Sequence, residues 1–225
     1  MLEGITLNIR KRKRKTTSIY IERDGTVSVY APENMKDDEI QSILKNREYQ
    51  IHKYLAKREL LNANKANREP VNGQSYPYLG RNYYLQYSPD TKSLKIKGKY
   101  FIAPEAKNGK LQELFRDFYR KRGAAFIVPK AKDFAAKIGV KLDEVSVLEL
   151  KNRWASCSMK KSKVNFHWKA MMAPISVIEY LIVHELAHFK YQKHDSQFWN
   201  EVDKLIPNYQ EKVEWLKRYG ASLTL

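Results

Sequence analysis

HELAHFKYQKH, residues 184–194, holds three of the chain's five histidines and a glutamate directly after the first of them. On a helix, His184 and His188 lie one turn apart on the same face, where two imidazoles can share a metal ion. Glu185 can then reach a metal-bound water and take its proton as a general base. The spacing therefore predicts an H-E-x-x-H metal site.

The sequence around this stretch predicts the helix that the site requires. Pro174 is a favoured first-turn residue, and apolar residues at helical spacing follow it to about Tyr191. Residues 145–154 and 164–168 alternate like two strands joined by a polar turn. After the histidines, Asp195 or Ser196 can cap a short helix, and a second short helix ends near Gly220. A strand pair, the histidine helix and two short helices are expected.

A third metal ligand is needed, and His194 lies six residues after His188. That spacing matches the third histidine of metzincins, although a metzincin has a glycine where this chain has Tyr191. Three imidazoles that leave a fourth position open to water suit Zn²⁺. Other side chains could replace His194, and a helix whose histidines only pack is the alternative to any metal site. The competing third ligands are Asp195, Glu201, Glu211 and Glu214.

The N-terminal half predicts strands and one long helix. Residues 5–9, 18–21 and 26–30 alternate in the strand period, with a turn at Asp24-Gly25, and predict a small antiparallel sheet. Residues 36–64 have helical spacing, and short strands with turn signals return in 72–104. Residues 111–138 are helical, with Gly123 and Pro129 expected to bend or divide the helix. The fold class is α+β, with a β-rich basic region in 1–104 and a catalytic domain in 105–225.

The chain is strongly basic, with 42 Lys plus Arg against 25 Asp plus Glu and a net charge of +17. Such an excess favours polyanionic partners, of which nucleic acid is the commonest. Six consecutive cations, Arg10 to Lys15, form either a solvated loop or a nucleic-acid contact. A single cysteine excludes an internal disulfide, and no apolar run is long enough to span a bilayer. We expect a cytoplasmic protein without a membrane partner, and the sequence indicates no oligomeric state.

The segment from Asn152 onward resembles the YgjP-like metallopeptidases, which are zincins related to SprT-like and minigluzincin proteins. In the N-terminal half, Asp24 to Val27, Ala31-Pro32 and Tyr78 to Arg81 resemble that family more weakly. Ala155 stands where the family usually has glycine. The resemblance implies a zincin-like catalytic half, with His184, His188 and His194 on zinc and Glu185 as catalytic acid and base. The residues that carry it most strongly are RWASCS at 153–158, NFHW at 165–168, Ala173-Pro174, YLIVHELAH at 180–188, His194, Phe198-Trp199 and Trp215-Leu216.

Other side chains are candidates for the same chemistry. Arg153, His167 or Tyr191 could contact the substrate or stabilise the oxyanion. Cys157 could be a nucleophile or an inhibitory zinc ligand, but a lone cysteine in a strand is more often packed. Phe198 and Trp199 are expected in the core, pinning the His194 loop. By analogy with other zincins, residues 147–154 or 164–168 could hold an extended peptide by strand addition.

The leading hypothesis is a zinc metallopeptidase that hydrolyses peptide bonds with a Glu185-activated, zinc-bound water. A refined version has it act on nucleic-acid-associated proteins. The first alternative is a nucleic-acid-binding module with a structural or vestigial zinc site, for which Glu185 would have no use. The second is an amidohydrolase with a non-peptide substrate.

Overall fold

The computed structural model describes residues 5–22, 25–62, 68–105, 108–151 and 153–225. Asp24 of the predicted turn and Asn152 lie outside these ranges. The chain divides into two compact units, residues 1–64 and residues 65–225. Within the described residues, no helix is both long enough and apolar enough to cross a bilayer.

The elements follow one another as an α+β fold, which confirms the predicted class. The first unit contains β1 (Leu7–Arg12), β2 (Ser18–Ile21), β3 (Val27–Pro32), α1 (Asp37–Asn46) and α2 (Glu48–Asn62). The second contains β4 (Ser75–Tyr78), β5 (Arg81–Tyr87), β6 (Lys95–Lys97), β7 (Tyr100–Ala103), α3 (Asn108–Ile138), β8 (Glu144–Leu148), β9 (Ala155–Ser158), β10 (Lys163–His167), α4 (Ile175–Ala187), α5 (Ser196–Leu205) and α6 (Tyr209–Tyr219).

The smaller unit packs helices on one face of a three-stranded sheet. Val27 and Val29 in β3 point to the same face of the sheet because alternate strand residues share a face. Both are fully buried, together with Ile40 of α1. Leu44 and Ile51 complete this core. The predicted helix over 36–64 is broken at Arg47, which ends α1. The opposite face of the sheet has no part in this core.

The larger unit has a separate core that joins its two sheets to its helices. Tyr76, Leu85 and Phe101 of the four-stranded sheet share one cluster with Tyr119 of α3 and Ile182 of α4. The expected boundary at residue 104 therefore lies inside this unit, because the strands of 75–103 bury their apolar face against α3.

The sheets are mixed, although an antiparallel N-terminal region was expected. Their strand orders are β1-β3-β2, β4-β5-β7-β6 and β8-β10-β9. Three pairs of strands are parallel, namely β1 with β3, β5 with β7 and β8 with β10. The strand that lies between each pair in the sequence, β2, β6 or β9, pairs antiparallel with the second member of that pair. The later parallel strand thus lies between the other two.

Helix α3 is continuous from Asn108 to Ile138 and contains Pro129, so the helix is not divided there. A Cβ built at Gly123 would lie 3.0 Å from a methyl carbon of Val147 and 3.1 Å from Met171, so the glycine admits a close helix-to-sheet contact. Tertiary packing of Phe115, Tyr119 and Ile127 outweighs the local helix-breaking tendencies.

The turn between β4 and β5 fixes the start of α4. Leu79 and Gly80 both have positive φ, and their amides donate to the carbonyls of Met171 and Met172 just before that helix. A Cβ at Gly80 would lie 2.8 Å from the backbone Cα of Pro174, which caps α4. The four-stranded sheet therefore holds the helix at its N-terminus.

We predict that Gly80→Ala lowers the free energy of unfolding by about 3 kcal/mol or more, because left-handed strain adds to a clash with backbone. Gly98→Ala is the matched control, since Gly98 also has positive φ (59°) but no atom lies within 4 Å of its Cβ position. It should cost only about 1–2 kcal/mol. Urea unfolding measures both, and equal losses would contradict a close contact at Pro174.

Candidate active site

Helix α4 carries the first two histidines at its C-terminal end. Pro174 caps its start, and apolar residues on nearly all sides are buried against α3, α5, α6 and β9. The helix ends at Ala187, earlier than predicted, but His188 keeps helical backbone angles as the C-cap. His184 and His188 therefore remain one turn apart on the same face, with ring centroids 5.1 Å apart.

The third histidine joins these two. His194 Nε2 lies 3.2 Å from His184 Nε2, and one ligand atom from each of the three histidines lies within 4.8 Å of the others. Tetrahedral zinc with ordinary Zn–N bonds places its nitrogen ligands about 3.3 Å apart. Among the described residues, His184, His188 and His194 are the group of three or more metal-binding side chains that converge.

After α4 the chain turns back and places His194 beside the other two histidines, although Tyr191 occupies the position of the metzincin glycine. The amides of Lys190 and Tyr191 both bond to the carbonyl of Ala187, which closes a tight turn directly after the helix. No residue from 189 to 193 has positive φ. Glu201 in α5 accepts from Lys190 at 3.0 Å and ties the return loop to the next helix. Tyr191 is compatible with this turn because it keeps a right-handed or extended backbone.

The competing acids are engaged elsewhere. The Asp195 carboxylate accepts from the amide of Phe198 and caps α5, as predicted. Glu201 is buried between Lys190 and Lys204, each 3.0 Å away. Glu211 and Glu214 pair with Lys212 and Lys217, respectively. His194 is therefore the candidate third ligand that the geometry favours.

The other nitrogen of each helical histidine has a partner. His184 Nδ1 lies 3.2 Å from the hydroxyl of Tyr180, and His188 Nδ1 lies 3.0 Å from the carbonyl of Tyr191. Because a carbonyl can only accept, His188 carries its proton on Nδ1, and Nε2 is the nitrogen with a lone pair. Nε2 therefore keeps a lone pair that is available to a metal ion.

His184 and His188 are kept neutral by their surroundings. Burial, together with the neighbouring imidazoles of His188 and His194, lowers the pKa of His184 to about 3. Burial also lowers the pKa of His188, although the carbonyl of Tyr191 opposes the shift. Neutral imidazole is the form that binds metal. The donor set, its spacing and its protonation therefore fit a metal ion held by three imidazoles.

Aromatic rings pack against the three histidines. Phe198 is fully buried, with its ring centroid 5.0, 4.7 and 4.7 Å from those of His184, His188 and His194. Trp199 stacks on His194 and, at 4.7 Å, on Tyr209. Tyr209 in turn stacks on Tyr180, the partner of His184. One row of stacked rings thus connects two of the three candidate ligands.

Glu185 points into a cavity of about 330 Å³ beside the triad. Burial raises the pKa of Glu185 to about 7, against the lowering effects of a hydrogen bond from the Cys157 thiol and of the Arg153 charge. A carboxyl group with a pKa near neutrality can both take and return a proton. The cavity is lined by Arg153, Ala155, Ser156, Cys157, Met159, Glu185, His188 and Gln192.

Cys157 is a neighbour of Glu185. Burial and the Glu185 carboxylate raise the pKa of the thiol to about 11, so Cys157 is protonated at neutral pH. A protonated thiol is a poor nucleophile and a poor metal ligand. The sequence did not indicate this contact, which depends on how β9 packs against α4. The contact of Tyr180 with His184 was also missed, although their spacing of four residues on one helix could have revealed it.

The three residues predicted to contact the substrate lie in different surroundings. Arg153 lines the cavity with Glu185. Tyr191 contributes its backbone carbonyl to His188, while its side chain packs against the core. His167 is 1% exposed and does not line the cavity; its Nδ1 accepts from the amide of Lys169 and its Nε2 lies 3.1 Å from Glu149. Arg153 is the candidate whose side chain lies at the cavity.

Residues 15–219 match the family described as YgjP-like, metallopeptidase domain. The chain therefore contains a metallopeptidase domain. Because the match spans most of the chain, the chain belongs to the YgjP-like metallopeptidase family, which confirms the resemblance seen in the sequence.

Two solved structures are similar over part of the chain. The zymogen of abylysin from Pyrococcus abyssi aligns with a TM-score of 0.37 and 24% identity, over 40% of this chain and 90% of that one. The zymogen of jannalysin from Methanocaldococcus jannaschii aligns with a TM-score of 0.36 and 22% identity, over 39% and 89%. Among curated proteins no match is found.

We predict that Tyr180→Phe weakens zinc binding about 10-fold, because groups that orient metal-binding histidines typically contribute that much. Competition with a chromophoric chelator measures the affinity. Tyr209→Phe is the control, since it also loses a hydroxyl in the stacked row but does not contact His184. Equal affinities for wild type and Tyr180→Phe would contradict an orienting role.

We predict that Glu185→Gln stabilises the metal-free protein increasingly as pH rises. Between pH 4.5 and about 7, the folded state holds a proton that the unfolded chain has lost, so wild-type stability falls as pH increases. Gln does not titrate, and its advantage should grow from little at pH 5 to about 3 kcal/mol at pH 8. Urea unfolding in chelator measures it.

Glu179→Gln is the control for this experiment. Glu179 lies on the same helix, but its carboxylate pairs with Lys130 at 2.6 Å. Its replacement should bring no gain that rises with pH. A pH-independent effect of Glu185→Gln would mean that the carboxyl group is not buried as described.

Proposed function

We propose that the chain is a zinc-dependent peptidase in which His184, His188 and His194 hold the metal and Glu185 is the general base and acid. The observation that carries the proposal is the convergence of the three imidazoles beside a cavity that also contains the Glu185 carboxyl group. Three histidine ligands leave one position open, which distinguishes catalytic zinc sites from closed structural ones.

Zinc bound at the triad would act as a Lewis acid on water and on the substrate carbonyl. Glu185 then takes a proton from the attacking water as the oxygen adds to the carbonyl carbon. When the carbon–nitrogen bond breaks, the Glu185 carboxyl returns the proton to the leaving nitrogen. Burial suits both steps, because it brings the pKa of Glu185 to about 7. Arg153, at the cavity, supplies a positive charge for the developing oxyanion.

The sheet beside the cavity suits an extended peptide. Strand β9 is an edge strand that packs against α4, and its residues Ala155, Ser156 and Cys157 line the cavity. Strand β10, which covers most of the 164–168 segment suggested by the sequence, lies in the middle of the sheet, where both sides are already paired. A substrate strand added to β9 would place its backbone next to Glu185.

The alternatives make different use of these residues. A structural zinc site in a nucleic-acid-binding module has no need for an acid with a pKa near 7. A metal-dependent amidohydrolase would use the same catalytic groups on a non-peptide amide.

A reducing compartment such as the cytoplasm would keep Cys157 a thiol, able to donate to Glu185. Action on nucleic-acid-associated proteins would require a separate docking surface.

We predict that Glu185→Gln abolishes hydrolysis of casein or of a quenched fluorescent peptide library, with a loss of at least about 100-fold, because general acid–base catalysis is lost. Bound zinc, measured by mass spectrometry of metals, should stay near one equivalent. His194→Ala should lose zinc as well as activity.

Glu179→Gln is the matched control, since Glu179 lies on the same helix as Glu185 and its carboxylate ion-pairs with Lys130. It should retain zinc and most of the activity. Undiminished hydrolysis by zinc-loaded Glu185→Gln would refute the mechanism. Hydrolysis of non-peptide amides alone would favour the amidohydrolase.

A further inference from the structure

The sheet of the smaller unit has a second face that takes no part in its core. Residues that pair across the strands share a face, and Arg10 in β1 stands opposite Tyr30 in β3, which stands opposite Ser18 in β2. Tyr20 and Arg12 belong to the same face by the two-residue period. We call these five residues, Arg10, Arg12, Ser18, Tyr20 and Tyr30, the tyrosine–arginine face.

The two tyrosine rings of this face are in contact, and Tyr20 is exposed whereas Tyr30 is half-buried. Tyr20 is 50% exposed, and its ring centroid lies 5.7 Å from that of Tyr30 in an edge-to-face arrangement. The guanidinium of Arg12 lies over the Tyr30 ring, 5.3 Å from its centroid. Arg10 and Arg12 are exposed. The core of this unit does not account for these rings, because Val27, Val29 and Ile40 form it on the other side.

Positive charge is concentrated around these rings. Arg10 and Arg12 belong to the run of six cations that ends at Lys15, and Arg14 donates to Ser18 of the same face. Lys11 points to the other side, where it pairs with Asp37 of α1 at 2.7 Å. The strand therefore sends alternate cations to the exposed face, at a spacing of two residues.

Exposed aromatic rings between arginines suit one kind of polyanion. Phosphates pair with guanidinium groups, and unpaired bases stack on aromatic rings at a sheet surface. In a duplex the base faces are already stacked and unavailable, whereas a polyanion without bases gains nothing from the tyrosines. We propose that the tyrosine–arginine face binds single-stranded nucleic acid, with Tyr20 and Tyr30 stacking on bases and Arg10 and Arg12 contacting phosphates. This inference does not rest on peptide hydrolysis.

The test is fluorescence anisotropy of the full chain with a labelled single-stranded oligonucleotide of about 20 nucleotides, at several salt concentrations. Tyr20→Leu/Tyr30→Leu should weaken binding about 10-fold or more, because each stacked base contributes substantially. Tyr20→Phe/Tyr30→Phe keeps the rings and should bind within about 2-fold of wild type. Circular dichroism and thermal unfolding check that each variant is folded.

A second pair of variants tests the contribution of the arginine charges. Arg10→Ser/Arg12→Ser should weaken binding and reduce the slope of log affinity against log salt by about 1.4, the value for two phosphate contacts on a single strand. Lys45→Ser/Arg47→Ser removes the same charge from exposed positions at the end of α1 and should change affinity and slope much less.

The outcomes separate the explanations. The proposal is overturned if no binding is detected, if a duplex of equal length binds as tightly, if the leucine variant binds like wild type, or if the two charge variants lose affinity equally. Inorganic polyphosphate should bind the tyrosine variants and wild type alike. Glu185→Gln should bind the oligonucleotide unchanged, so that failure of the proposed peptidase and failure of this surface are distinguishable.

Discussion

Three imidazoles converge on one point, and the packing around them maintains that geometry. Helix α4 sets the separation of His184 and His188, and it is buried on nearly every side, so it cannot rotate without disrupting the core. His194 comes from a loop, and the loop is fixed at both ends by the turn on Ala187 and by the Asp195 cap. The ring of Phe198 is fully buried and lies against all three imidazoles.

The same burial determines the protonation states on which the chemistry depends. Low polarity disfavours charge of either sign, so it lowers the pKa of His184 and raises that of Glu185. In the proposed mechanism a metal ligand is neutral and the general base titrates near the working pH, so one environment suits both roles. Cys157 and Arg153 moderate the effect on Glu185, because a hydrogen bond and a positive charge both favour its ionised form.

The sequence predicted the parts of the site whose geometry is local. His184, Glu185 and His188 lie on one helix, and Asp195 caps the next, so spacing alone indicated their arrangement. The contact of Cys157 with Glu185 joins a strand to a helix and depends on tertiary packing. His167, in the predicted strand pair, was a candidate to contact the substrate or stabilise the oxyanion. Its ring is buried beside the rings of Trp154 and Trp168 and the carboxylate of Glu149, and short-range alternation contains no information about these contacts.

Among the residues that the structure describes, those that line the cavity or contact the histidine rings lie between Arg153 and Tyr209. Synthesis proceeds from the N-terminus, and domains generally fold as units as they emerge. The smaller unit and the four-stranded sheet can therefore complete their own strand pairings before any cavity residue has been translated. While the ribosome makes the first 150 residues, the nascent chain contains none of the catalytic apparatus.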